Sequence, residues 1–113
     1  MSAWRQPGAR GLFAEWVIEP RGYSGVYAIR DGRDLEVLYV GESHTGRLYD
    51  TLTRHFQSRS RGYHGPNYSR ELCEVKVTLC PESYAIDLQH EWIVRLRPLD
   101  NYLVPVDDED VPF

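Results

Sequence analysis

The chain has 113 residues, 42% apolar and 27% charged, which is enough for one domain with one core and too little for two. These proportions exclude collagen-like, coiled-coil and wholly disordered chains. The formal net charge of −4 speaks against a nucleic-acid binder only until it is located, because Asp107, Asp108, Glu109 and Asp110 supply all of it and residues 1–106 balance at 13 basic and 13 acidic groups.

A single domain is expected over 1–113, with an extension over 1–22, a core over 23–102 and an acidic tail over 103–113. Pro7, Gly8 and Gly11 place the first residues on the surface. Phe13, Trp16 and Val17 recur at helical spacing and predict a short amphipathic turn, stopped at Glu19-Pro20-Arg21-Gly22. Val26–Ile29 and Val37–Val40 are β-branched and aromatic runs. Asp31-Gly32 between them predicts a hairpin, since both residue types tolerate positive φ, and Gly41 closes the second strand.

Within Gly46–Phe56, the residues Leu48, Leu52 and Phe56 form the stripe of a helix lying on a sheet. The long Ser58–Ser69 stretch, without a regular pattern, reads as a functional or mobile loop. Cys73, Val75, Val77 and Leu79 alternate with Glu74, Lys76 and Thr78, so a third strand with one buried face follows, with Cys73 as a core thiol. Pro81-Glu82-Ser83 opens a second helix and Pro98 ends it. The fold class is α/β of the α+β kind: a small mixed or antiparallel three-stranded sheet flanked by helices, in β-β-α-β-α order.

The two cysteines make neither a disulfide framework nor a zinc site. No apolar run approaches the roughly 20 residues of a membrane span. The N-terminus lacks the apolar stretch of a signal peptide. A cytoplasmic protein without a membrane partner is the expectation.

The chemistry concentrates in two tripeptides, Gly25-Val26-Tyr27 and Tyr39-Val40-Gly41, on consecutive strands. On pleated strands Tyr27 shares a face with Ile29, and Tyr39 with Val37 and Gly41. Gly41 removes a side chain beside Tyr39, which permits close approach by a backbone or a phosphate. Arg47, Thr51 and His55 stand at i, i+4 and i+8 on the helix, a polar row beside the Leu48 row. A guanidinium and an imidazole on such a row suit phosphate charge and proton transfer.

The paired tripeptides, the helix bearing Arg47 and the closing Arg97-Pro98-Leu99-Asp100-Asn101 together resemble the GIY-YIG nuclease family, over Gly25–Asn101. That resemblance implies a metal-dependent endonuclease hydrolysing phosphodiester bonds in DNA, leaving 5′-phosphate and 3′-hydroxyl ends. Tyr27 would help deprotonate the attacking water and Tyr39 would orient it. Arg47 would stabilise charge on the phosphate, and His55 would assist near the scissile group. Because Arg47 follows the second tripeptide more closely than the family's arginine usually does, Arg54 competes for its role.

The family holds one divalent ion, Mg²⁺ or Mn²⁺, on a glutamate three residues before an apolar pair. Counting back from Trp92-Ile93 lands on Gln89. At about 100° per residue, Ala85, Ile86, Trp92, Ile93 and Leu96 fall within about 60° of Gln89, whereas Glu91 lies about 160° away and faces solvent. An amide offers an oxygen without charge, a poor ligand for a hard dication. Three readings stay open: a natural variant with weakened metal binding, an inactivated form, and another carboxylate such as Glu42 holding the ion. A fourth gives Gln89 only a hydrogen bond to core backbone.

Arg47, Arg54, Arg59, Arg61 and Arg70 stand against Asp50 alone, a local balance of +4, with Tyr63, His64 and Tyr68 interleaved. Arginines contact phosphates and aromatic rings stack on bases, so Arg54, Arg59, Arg61, Tyr63, His64 and Arg70, with Gly41 and Asn101, are the candidate nucleic-acid contacts. DNA is the expected partner and RNA the alternative. Strong specificity in so small a domain would need a homodimer or a protein partner. The competing classes are a catalytically impaired nucleic-acid-binding module of the same fold and a protein-interaction domain.

Overall fold

Runs of β-branched and aromatic residues suit a pleated surface covered on both sides, and three such runs make the sheet of this computed structural model, which describes residues 4–9, 12–13, 22–56 and 68–102. A small antiparallel pair comes first, β1 (Gly8–Ala9) with β2 (Leu12–Phe13). Then follow β3 (Gly25–Asp31), β4 (Val37–Ser43), helix α1 (Leu48–Arg54), β5 (Cys73–Leu79), helix α2 (Glu82–Leu96) and a 3₁₀ turn over Asp100–Tyr102. β3 is central in the order β4-β3-β5, and both its pairings are antiparallel. The fold is therefore a small α+β domain in β-β-α-β-α order, as expected.

Alternation along β3 separates two cores. Tyr27 and Ile29 pack with Tyr39, Leu48, Leu52 and Val75 under α1. Val26 and Ala28 pack with Val40 and Trp92 under α2. The two helices thus cover opposite faces of the sheet. Among the described residues, no helix is long and apolar enough to cross a membrane.

Several local expectations need correction. Phe13 pairs as a strand residue with Gly8 rather than starting a helical turn, because so short an apolar set fits either period. Trp16 and Val17 lie outside the described residues. The β3–β4 connection is a wider loop than Asp31-Gly32 alone suggests, closed by Asp31 N–H on Glu36 O at 2.9 Å and Leu35 N–H on Asp31 O at 2.9 Å. Its positive φ, 63°, falls on Leu35. Gly41 does not end β4, which runs on to Ser43. The register shifts by one between Ile29 and Arg30, so Leu38 is the extra residue and Val37 packs on the α2 side, away from Tyr39.

Both sheet edges are occupied, which removes templates for strand addition. On the β4 edge, the Asn101 amide accepts from Val40 N–H at 2.9 Å and donates to Val40 O at 2.8 Å. On the β5 edge, Arg5 and Val75 exchange two backbone hydrogen bonds, 2.9 and 2.7 Å. α2 starts after Pro81, whose extended backbone suits an entry, and stops where Arg97 turns left-handed at φ 50° before Pro98.

Candidate active site under the first helix

Tyr27 lies mid-way along the central strand, directly opposite Gly41 on β4 and Val77 on β5. The Gly41 position is filled from across the sheet: a Cβ there would overlap the Tyr27 Cζ and hydroxyl oxygen and stand 2.8 Å from Cε1. The space expected to admit a phosphate is occupied by this phenol. Gly25 is constrained in the same way, since its Cβ would meet the Thr78 carbonyl and stand 3.0 Å from Leu79 Cα. Both motif glycines are therefore packing requirements of the sheet.

Tyr39 is opposite Ile29, one pleat further along the same face. His55 follows α1 at its C-terminal cap and descends between the two rings. Its Nε2 and the Tyr27 hydroxyl are 2.7 Å apart, and its ring centroid is 4.5 Å from that of Tyr39 and 5.6 Å from that of Tyr27. The Tyr27 hydroxyl also donates to Thr51 O at 3.3 Å. Tyr27, Tyr39 and His55 are 1%, 2% and 0% exposed, so the phenol and imidazole satisfy each other where water does not. A buried phenol–imidazole pair at this distance can pass a proton in either direction, according to the imidazole tautomer.

Tyr68 and Asp100 close the cluster's outer side. Tyr68 N–H donates to His55 O at 2.6 Å, its ring centroid is 6.1 Å from the imidazole, and its hydroxyl donates to Asp100 Oδ2 at 2.6 Å. Sequence reasoning counted Tyr68 only among the aromatics of a basic loop and passed over Asp100. No local spacing joins two residues 32 positions apart.

Arg47 is not brought to this cluster. It is exposed, with its N–H on Ser43 Oγ at 2.8 Å, and its side chain lines a cleft of about 300 Å³ with Tyr49, Asp50, Thr53 and Arg54. The helical row explains the parting: each step of four residues drifts by about 40°, so i and i+8 differ by about 80°. Arg47 faces outward, while Thr51 and His55 are buried. Arg54 lines the same outer cleft, and Arg70 is half-buried before β5. Arg59, Arg61, Tyr63 and His64, like the acidic tail, lie outside the described residues.

Gln89 is half-buried on α2, the helix of the opposite face, and its Nε2 donates to Val40 O at 3.3 Å. The buried face of α2 is centred on Ala85 and Trp92 rather than on Gln89, and Ile86 is 52% exposed. Glu91 points to solvent as expected and accepts the Tyr84 hydroxyl at 2.8 Å, an acceptor that raises the Tyr84 pKa. Glu42 is 1% exposed at the end of β4, with His44 Nδ1 2.9 Å from its Oε1. Cys80 nearby is held protonated first by burial and then by the Glu42 charge. Cys73 is the core thiol expected, its pKa also raised by burial.

Asn101 is committed to the Val40 backbone on the β4 edge. Among the described residues, no group of three or more His, Cys, Asp or Glu is arranged to hold a metal ion. The donors for the ion that the family resemblance implies do not fit as they stand. Gln89 is neutral, its amide nitrogen is turned to Val40 O, and it belongs to the face away from Tyr27. No protein-family model and no curated protein matches the chain.

Proposed function

We infer that this chain is a small phosphodiesterase of the GIY-YIG type, an endonuclease acting on DNA. The observation that carries the reading is the Tyr27 hydroxyl lying 2.7 Å from His55 Nε2 with the Tyr39 ring 4.5 Å from the same imidazole. A domain needing these residues only as core would have no use for three polar aromatics in contact, where aliphatic packing avoids the cost of burying a hydroxyl and an imidazole.

In the proposed chemistry, His55 Nε2 takes the Tyr27 proton. The phenolate then draws a proton from the water that attacks phosphorus, Tyr39 holds that water in line, and the P–O3′ bond breaks opposite it, with the leaving 3′ oxygen taking a proton from solvent. General-base assistance of this kind contributes about 10²–10⁴-fold. The exposed Arg47 and the half-buried Arg54, which share the outer cleft, attract the phosphate backbone. A reducing, cytoplasmic setting belongs to the same proposal, supported by the free thiols of Cys73 and Cys80.

A second reading has its own observation. Gln89 provides an amide where the family resemblance asks for a carboxylate, which favours a nucleic-acid-binding module with impaired catalysis. Incubating the protein and its Gln89→Glu variant with plasmid and branched DNA, with Mg²⁺ or Mn²⁺, separates the two. Cleavage by either protein that Tyr27→Phe abolishes supports the nuclease. Binding without cleavage by both supports the module.

A further inference from the structure

The reacting groups of this site are shut away. With Tyr27, Tyr39 and His55 each at most 2% exposed, no phosphodiester touches the Tyr27 phenol while the present packing holds. Some contact has to give before any ligand enters, and the geometry identifies which.

Tyr68 is held at two ends. Its backbone N–H is fixed to His55 O at 2.6 Å, and its ring lies near the imidazole and, at 6.4 Å between centroids, near Phe56. Its hydroxyl reaches Asp100 Oδ2 at 2.6 Å. Asp100 is anchored independently, because the next residue, Asn101, is bonded to Val40 and the preceding Leu99 N–H donates to Val37 O at 3.1 Å. β4 in turn carries Tyr39. A strap therefore runs from the end of α1 through Tyr68 to the C-terminal turn and back to β4, enclosing the cluster.

The joint of that strap is a phenol–carboxylate hydrogen bond between two half-buried side chains. Such a bond is short and charge-assisted. Its partial exposure lets water replace either partner, which buried backbone bonds in α1 and β4 do not allow. Among the described contacts of the strap, it is a side-chain joint that water can reach.

We propose that Tyr68 positions and gates the Tyr27–His55–Tyr39 cluster, with the Tyr68–Asp100 hydrogen bond as the latch whose release admits a ligand. The proposal rests on the reading of this cluster as the reactive site, but its test does not use cleavage. A failure of nuclease activity and a failure of the latch are therefore separate results.

The test is diethyl pyrocarbonate modification of the full chain, followed by peptide mass spectrometry of His55 and of the exposed His90. In the unmodified sequence His55 reacts slowly relative to His90. Tyr68→Phe keeps the ring and removes the hydroxyl, and Asp100→Asn removes the carboxylate charge. Each raises the His55 rate on the order of tenfold, the factor carried by one charged hydrogen bond, with His90 and the amide exchange of Val26–Ile29 unchanged. Three results overturn the latch: His55 rates at the level of the unmodified sequence in both variants, a response in only one of them, or a rise matched by faster exchange of the Val26–Ile29 amides. The last would mark general loosening rather than a gate.

Discussion

Tyr27 and Gly41 face each other across β3 and β4, and the phenol of one occupies the place where the other would carry a side chain. Each tripeptide thereby explains a residue of its partner. The glycine of the second clears room for the tyrosine of the first, and that tyrosine then reaches His55 at 2.7 Å.

Gly41→Ala should accordingly act on both stability and the site. The added methyl meets Tyr27 ring atoms, an overpacking that costs about 1–3 kcal/mol. Urea denaturation is expected to show a lower midpoint with an unchanged slope. A midpoint at the level of the unmodified sequence would mean that Tyr27 is not held where it is described.

Removing the Tyr27 hydroxyl while keeping its ring isolates the chemistry. Tyr27→Phe is expected to lower cleavage by about 10²–10⁴-fold and stability by about 1–2 kcal/mol. Measured side by side, a fully active Tyr27→Phe protein would take the phenol out of the mechanism.

Asn101→Ala strips the Val40 N–H and C=O of their side-chain partner on the β4 edge. The cost is about 1–3 kcal/mol, and an uncovered edge invites pairing with another chain. Thermal denaturation together with light scattering is expected to show lower stability and more association. Loss of DNA affinity with stability intact would instead return Asn101 to the nucleic-acid contacts.

Gln89→Glu replaces an amide that donates to Val40 O by a carboxylate that repels the same carbonyl. Without metal the variant is expected to lose about 1 kcal/mol. With Mn²⁺ or Mg²⁺ it is expected to recover part of that stability, since a carboxylate supplies the charge a hard dication needs. Titration with metal during denaturation checks this; no metal dependence would leave position 89 with a structural role alone.

In the hairpin loop, the exposed Arg33 guanidinium and backbone N–H bond Asp31 and hold its carboxyl at about 2 instead of 3.8. A depressed folded-state pKa stabilises above the unfolded value and loses that contribution as pH falls from about 4 through about 2. Asp31→Asn should flatten the stability profile in that acid window and leave neutral pH otherwise shaped as before. Salt should shrink the difference, because the arginine is solvated.

Much of the fold was legible locally. The bounds of β5 match the Cys73 to Leu79 alternation, although its buried face holds at Cys73 and Val75 and fades to an exposed Leu79 at the end of the strand. Leu48, Leu52 and Phe56 are the buried stripe of the helix region. Pro81 and Pro98 bracketed α2 because proline restricts the backbone on both sides of itself. The errors arose where one residue of offset mattered. A bulge at Leu38 turned Val37 to the other face, and a left-handed Leu35 replaced the expected Asp31-Gly32 turn. Neither leaves a mark in hydrophobic periodicity.

The site divides along the same line. Sequence by itself singled out the candidate residues: two tyrosines on neighbouring strands, and a histidine at the end of the helix that follows. Side-chain period in a strand and a helix is a local property, so those residues could be read without the fold. Only the tertiary structure decided which of them meet. His55 turns into the sheet while Arg47 turns out, Gln89 belongs to the opposite face, and Tyr68 closes on Asp100 from far along the chain. The reason is that contact between elements depends on accumulated rotation and register, where a drift of about 80° over two helical turns separates partners that the spacing alone would join.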